Sequence, residues 1–156
     1  MSLETITVIV LLTLLTIVVG ADLFWLLVMV PALDSVSDGS LLNIIKPIQT
    51  YATQRMPIIF VLLLLNAIVL NVVPHTRTEI YLLRIGLIAS VIYTAVVLLG
   101  SNPVSMQLIT GLTDNDLPAE IHSLQVTWTR LLWLRGVTAL VMFWSFLHYA
   151  MNPRSQ

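Results

Sequence analysis

The chain has 156 residues, of which 58% are hydrophobic and only 10% charged, with a formal net charge of −1. Soluble domains average about 25% charged residues, so this chain lacks the polar surface needed to stay in water and is expected to be an integral membrane protein. The near-neutral charge leaves no basic patch for nucleic acid, and the lack of cysteine excludes disulfides, thiolate metal sites and cysteine nucleophiles.

A spanning helix needs about 20 mostly apolar residues. The first such run covers residues 5–30. The Met1-Ser2-Leu3-Glu4 stretch ahead of it lacks the positive charge of a cleavable signal, so the run reads as a retained span. Asp22 lies inside it, with Trp25 and Met29 on the same face at i+3 and i+7. A charge at that depth costs roughly 2.5–3.5 kcal/mol on insertion scales. A chain keeps it only where it is paired, faces a wet cavity or does chemistry. Asp22 stands nine residues before Pro31, which puts it roughly 13 Å below that end of its helix.

In residues 31–55, Leu41, Leu42, Ile44, Ile45, Ile48 and Tyr51 recur at helical spacing and predict a short amphipathic helix on one face of the bundle. The second span covers 56–73, with Arg55 at its start, Pro57 in its first turn and Pro74 as its stop. Asn66, mid-span, is expected to hydrogen-bond across the bundle. Residues 74–78 form a tight turn into the third span, 79–100, giving an antiparallel hairpin. Within that span Gly86, Ser90 and Thr94 follow at i+4, a spacing that lets helix backbones approach closely. Asn102-Pro103 closes it.

Residues 101–130 repeat the pattern of the first loop, with Ile121, Leu124, Trp128 and Leu131 at helical spacing. The fourth span, 131–150, carries Arg135 and is closed by Asn152-Pro153. If its helix starts near Thr129, Arg135 is roughly 9 Å deep from the same end as Asp22. The expected architecture is therefore all-α: a transmembrane four-helix bundle, one domain over 1–156, with short amphipathic helices in its first and third loops. Arg77, Arg84 and Arg154 on the terminal side favour both termini in the cytoplasm and a plasma (inner) membrane location.

A deep acid and a deep base at similar depth favour an Asp22–Arg135 ion pair. Such a pair either fixes helix register and nothing more, or belongs to a site. Other polar groups collect at this end: Arg55, Asn102 and Arg130, with Tyr51, Gln54, Gln107, His122 and Trp128 nearby. Arg55 and Arg130 taken singly read as interfacial cations whose heads reach water. Together these residues outline a half-buried pocket suited to a flat, amphipathic, anionic or phenolic ligand. The histidines do not share a depth: His75 and His148 belong to the terminal side and His122 to the other. No metal-ligand spacing links them, so no metal and no cofactor is expected.

Four spans, long first and third loops, Arg55-Met56-Pro57 opening the second span, Asn102-Pro103 followed by Leu108, and a Trp128…Arg135 fourth helix form a recognisable pattern. It resembles the small membrane family that includes the anthrone oxygenases. That resemblance implies metal-free oxygenation of an electron-rich phenolic ring. It makes Asp22 the candidate base, with Arg135 and Asn102 holding the oxyanion. Trp25, Trp128 and Trp133 would flank the ring, and Tyr51, Arg55 and Arg130 would complete the ligand site. One position departs from the family pattern: Leu132 stands where a histidine is common, three residues before the arginine.

Two other classes fit a short apolar chain of this kind. One is an accessory subunit of a larger membrane complex, or a homo-oligomer, which needs no pocket. The other is a small transporter relaying protons through Asp22, although no inverted repeat is visible.

Overall fold

The computed structural model describes residues 3–36, 38–72, 77–107 and 118–151. Pro74, His75, Leu108, Asn152, Pro153 and Arg154 lie outside the described residues. In hydrocarbon every backbone N–H and C=O must find a partner inside its own segment, which leaves the helix as the local solution for runs this apolar. Helices α1 (Leu3–Phe24) and α2 (Val30–Asp34) are joined through a π-helical turn at Trp25–Met29. Helix α3 runs Asp38–Val72; α4 (Arg77–Ala95) continues through a π-helical stretch, Val96–Ser101, into α5 (Asn102–Met106); and α6 runs Pro118–Met151. Four helical units, starting near Glu4, Asn43, Ile80 and His122, are long and apolar enough to cross a membrane. The protein is thus an all-α, four-helix, multi-pass membrane bundle.

The helices pack in a ring, α1 against α3 and α6, and α4 against the same two. Leu11, Leu15, Leu63, Leu70, Leu83 and Phe146 fill its centre, each almost fully buried. Small residues set the approach of α4 to α6. A side chain added at Gly86 would come within 2.6 Å of the Phe146 ring. At the terminal end Tyr149 donates a hydrogen bond to Glu4, and the Asn71 amide donates 3.2 Å to the Leu83 carbonyl, tying α3 to α4.

The helical segments anticipated in the two long loops exist, but not as separate short helices. They are the N-terminal parts of α3 and α6, continuous with the second and fourth spans. At 35 residues α3 is roughly 52 Å long, well beyond a hydrocarbon core of about 30 Å. Pro57 accordingly sits in a helix interior, together with Pro47, rather than in a first turn. Membrane helices tolerate such prolines when neighbours re-satisfy the freed carbonyls. Asn66 also departs from expectation: its amide donates to the Leu62 carbonyl of its own helix, 2.7 Å away, instead of across the bundle.

Both π turns have a local cause. The last wide-turn bonds are Val30 N–H to Trp25 O and Asn102 N–H to Val97 O. The next residue in each case is a proline, Pro31 or Pro103, with no N–H to give. The hydrogen-bond ladder changes register where a donor is missing anyway.

Candidate functional site

Asp22 is 1% exposed, inside a span, and is met by two other helices. Arg135 of α6 donates from Nη2 to its Oδ1 at 2.5 Å, and Tyr93 of α4 donates from Oη to its Oδ2 at 3.0 Å. The Arg135 Nη2 also lies 3.4 Å from the Tyr93 hydroxyl, and its guanidinium sits 5.7 Å from the Tyr93 ring centroid. Phe60 of α3 packs edge-on to that ring at 5.3 Å. The three polar groups thus close a triangle with a side from each of three helices, and the fourth helix buttresses it. Charge-assisted bonds of this length and burial are the strong kind.

Beside the triangle lies a cavity of about 60 Å³. Asp22, Tyr93 and Arg135 line it, with Gln49, Thr53, Ser101, Asn102 and Ser105 as further polar groups and Trp25, Trp128, Leu132 and Phe60 as apolar ones. Trp25 and Trp128 pack as a T, centroids 5.1 Å apart, over its long-loop end. Two buried donors of lining residues have no hydrogen-bond partner among the described residues: Arg135 Nε and Ser101 Oγ. A buried donor left unmatched costs about 1–3 kcal/mol. An acceptor in the cavity would remove that cost at both atoms.

The wide turn in α4–α5 explains how so many groups share this wall. Tyr93, Val97, Ser101 and Ser105 stand four residues apart, and all line the cavity. In an α-helix each such step overshoots a full turn by about 40°. The π stretch, Val96–Ser101, takes more residues per turn and returns the later side chains to the same face.

Of the residues singled out in the sequence, Asp22, Arg135, Asn102, Trp25 and Trp128 meet at the cavity. Four do not. Tyr51 is 61% exposed with the Arg55 guanidinium 5.5 Å over its ring, so these two form their own pair on the outer face of α3. Trp133 is 55% exposed, because Leu132 holds the inward position and one residue turns a helix by about 100°. Arg130 lines a separate, wider groove at the long-loop end, with His122 and the hydrogen-bonded Gln125–Asp34 pair. His148 is exposed at the other end of α6. Among the described residues no three His, Cys, Asp or Glu side chains gather as metal ligands.

Tyr93 and Ser101 went unmarked in the sequence. A neutral tyrosine in an apolar run raises no alarm, yet Tyr93 stands nine residues before Asn102 just as Asp22 stands nine before Pro31. Equal depth was the available signal. No family model matches the sequence, and neither the curated proteins nor the solved structures yield a match.

Proposed function

We propose that the protein binds, within the membrane, an aromatic molecule carrying an acidic hydroxyl or carbonyl oxygen. The observation that carries this reading is the pair of unmatched buried donors, Arg135 Nε and Ser101 Oγ, in two residues that line one cavity. The ring oxygen accepts from both. Asp22, already engaged by Tyr93 and Arg135, holds the guanidinium in place so that its remaining N–H is free to point elsewhere. The tryptophan pair and Phe60 give the ring an apolar, water-poor surround. At about 60 Å³ the cavity takes the oxygen-bearing edge of a ring, and a larger body must extend beyond it.

The resemblance to anthrone oxygenases carries the reading one step further, to metal-free oxygenation. Two hydrogens leave the ring carbon, one oxygen atom of dioxygen stays as the new carbonyl, and the other leaves as water. Arg135 and Ser101 would stabilise the ring oxyanion from which the electron passes. For Asp22 to accept the ring proton it must first release Tyr93. The membrane proposed is the plasma (inner) membrane with both termini cytoplasmic, which would place Arg77, Arg84 and Arg154 inside and Lys46, Arg55 and Arg130 on the long-loop side.

The test uses anthrone as probe on vesicle-reconstituted protein carrying Trp133→Phe and Trp144→Phe. Of four tryptophans only Trp25 and Trp128 then remain to report. Saturable quenching is expected, with Ser101→Ala weakening affinity three- to tenfold, the equivalent of one hydrogen bond of about 1 kcal/mol. Anthraquinone formation with uptake of one dioxygen would identify an enzyme, and binding without uptake a carrier. No saturable quenching in the parent protein would overturn the reading.

A further inference from the structure

The cavity is closed towards water at both ends. On the long-loop side Leu33 and Ile45, buried together with Trp25, Val104 and Leu124 against them, form an apolar plug. A second cluster, Leu26 of the Trp25–Met29 turn with Trp128 and Leu132 of α6, backs it. Towards the termini the main core begins directly below, with Leu11, Leu15, Leu63 and Leu70.

Its sides are unequal. Lining residues from α4, α5 and α6 are buried, apart from Asn102 and the partly exposed Arg135. On α1 and α3 the lining is mixed: Val18, Asp22, Gln49 and Phe60 are buried, whereas Ile17 is 49% exposed and Ala21, Ala52, Thr53 and Met56 are half-buried and form the open rim. The α1–α3 seam is also the least extensive of the four helix contacts around the ring. It is bordered by two of the shortest side chains available, Ala21 and Ala52. Elsewhere α1 and α3 also present apolar surface, with Phe24, Leu27, Ile58 and Val61 all at least half exposed. Ala21 and Ala52 both lie in helices long and apolar enough to cross a membrane, so a rim between them opens towards the bilayer.

We infer that the cavity is filled sideways, from the bilayer, through a portal between α1 and α3 at Ala21 and Ala52. The ligand is a lipid-dissolved molecule: an oxygen-bearing ring edge that passes the portal to reach Arg135 and Ser101, on an apolar body that stays in the acyl chains. This rests on the binding reading above and adds its route and ligand class. A cavity of about 60 Å³ need not enclose the whole molecule if the rest remains in lipid.

Blocking the portal reversibly tests the route on one folded protein. The chain has no cysteine, so Ala52→Cys in the two-tryptophan background gives a single thiol. The probe is anthrone partitioned into phosphatidylcholine vesicles, and its association is followed by stopped-flow quenching of Trp25 and Trp128. Modification of the thiol with benzyl methanethiosulfonate is expected to slow association and dissociation together by tenfold or more, and dithiothreitol should restore both. Ser101→Ala, a change in the site, should speed dissociation and leave association unaltered. The association rate should follow the probe concentration in the membrane at fixed aqueous concentration. Binding whose rate ignores the block, at Ala52→Cys and likewise at Ala21→Cys, would overturn the portal while leaving the binding site standing. Failure of the unmodified protein to bind would overturn both.

Discussion

The charge on Asp22 gains its meaning from what removing it would leave. Arg135 makes its ion pair with Asp22, so Asp22→Asn strands a guanidinium in the bilayer. Breaking one side of a buried pair costs about 3–5 kcal/mol, whereas replacing both partners is often neutral. Thermal unfolding in detergent should therefore show Asp22→Asn and Arg135→Gln each strongly destabilised, and the double variant close to the parent. A double variant as weak as the sum of the singles would show that the two residues do not act as a pair. Depth counting along two apolar runs was enough to find this pair in the sequence. Tyr51 and Arg55, grouped with the site for lying near that end, and Trp133, which the resemblance put beside the ring, do not line the cavity, because closeness to the right end of a helix says nothing about which way a side chain turns. Tyr93 was invisible for a different reason: it carries no charge, and the cost that flags a buried group is carried by charge.

At the scale of elements, prolines misled where they should have punctuated. Pro57 reads as the first turn of a span, and here α3 runs through it, and through Pro47, without a break. Pro31 and Pro103 read as ends, and each instead follows a change of ladder that keeps the chain helical. The number of spans, and with it the meeting of the 31–55 and 101–130 segments at one end of the bundle, was legible from hydropathy alone. The continuity of the loop helices with the spans was not, since amphipathic spacing does not reveal whether two adjacent helices share an axis. Pro103→Ala restores a donor and should let Val96–Ser101 tighten towards a regular α-helix. The expected result is a protein more stable by up to about 3 kcal/mol, with anthrone bound at least threefold more weakly because Ser101 rotates away. Unchanged affinity would mean that the wide turn does not hold Ser101 on the cavity wall.

The described residues hold four candidate spans, an even number, which puts Leu3 and Met151 on one face of the membrane. The proposed cytoplasmic placement of that face is open to direct measurement, since any introduced cysteine is the only one present. In right-side-out membrane vesicles, Thr127→Cys at the long-loop end should react with an impermeant maleimide from outside. Met151→Cys, at the end of α6, should react only after the membrane is permeabilised. Reversed labelling would place the long loops in the cytoplasm and leave the bundle itself untouched.

The ion pair also has a history in time. Its two members are 113 residues apart, one in the first span and the other in the last. At about 5–20 residues per second of synthesis, Asp22 waits roughly 6–23 s for Arg135 to be made. Tyr93 arrives earlier, 71 residues after Asp22, and offers a provisional hydrogen bond in the interval. The first helix is therefore an unfinished object while the ribosome is still working. A chain cut short after its third span would keep the Asp22 carboxylate in an apolar helix without Arg135, the cation it pairs with in the finished bundle.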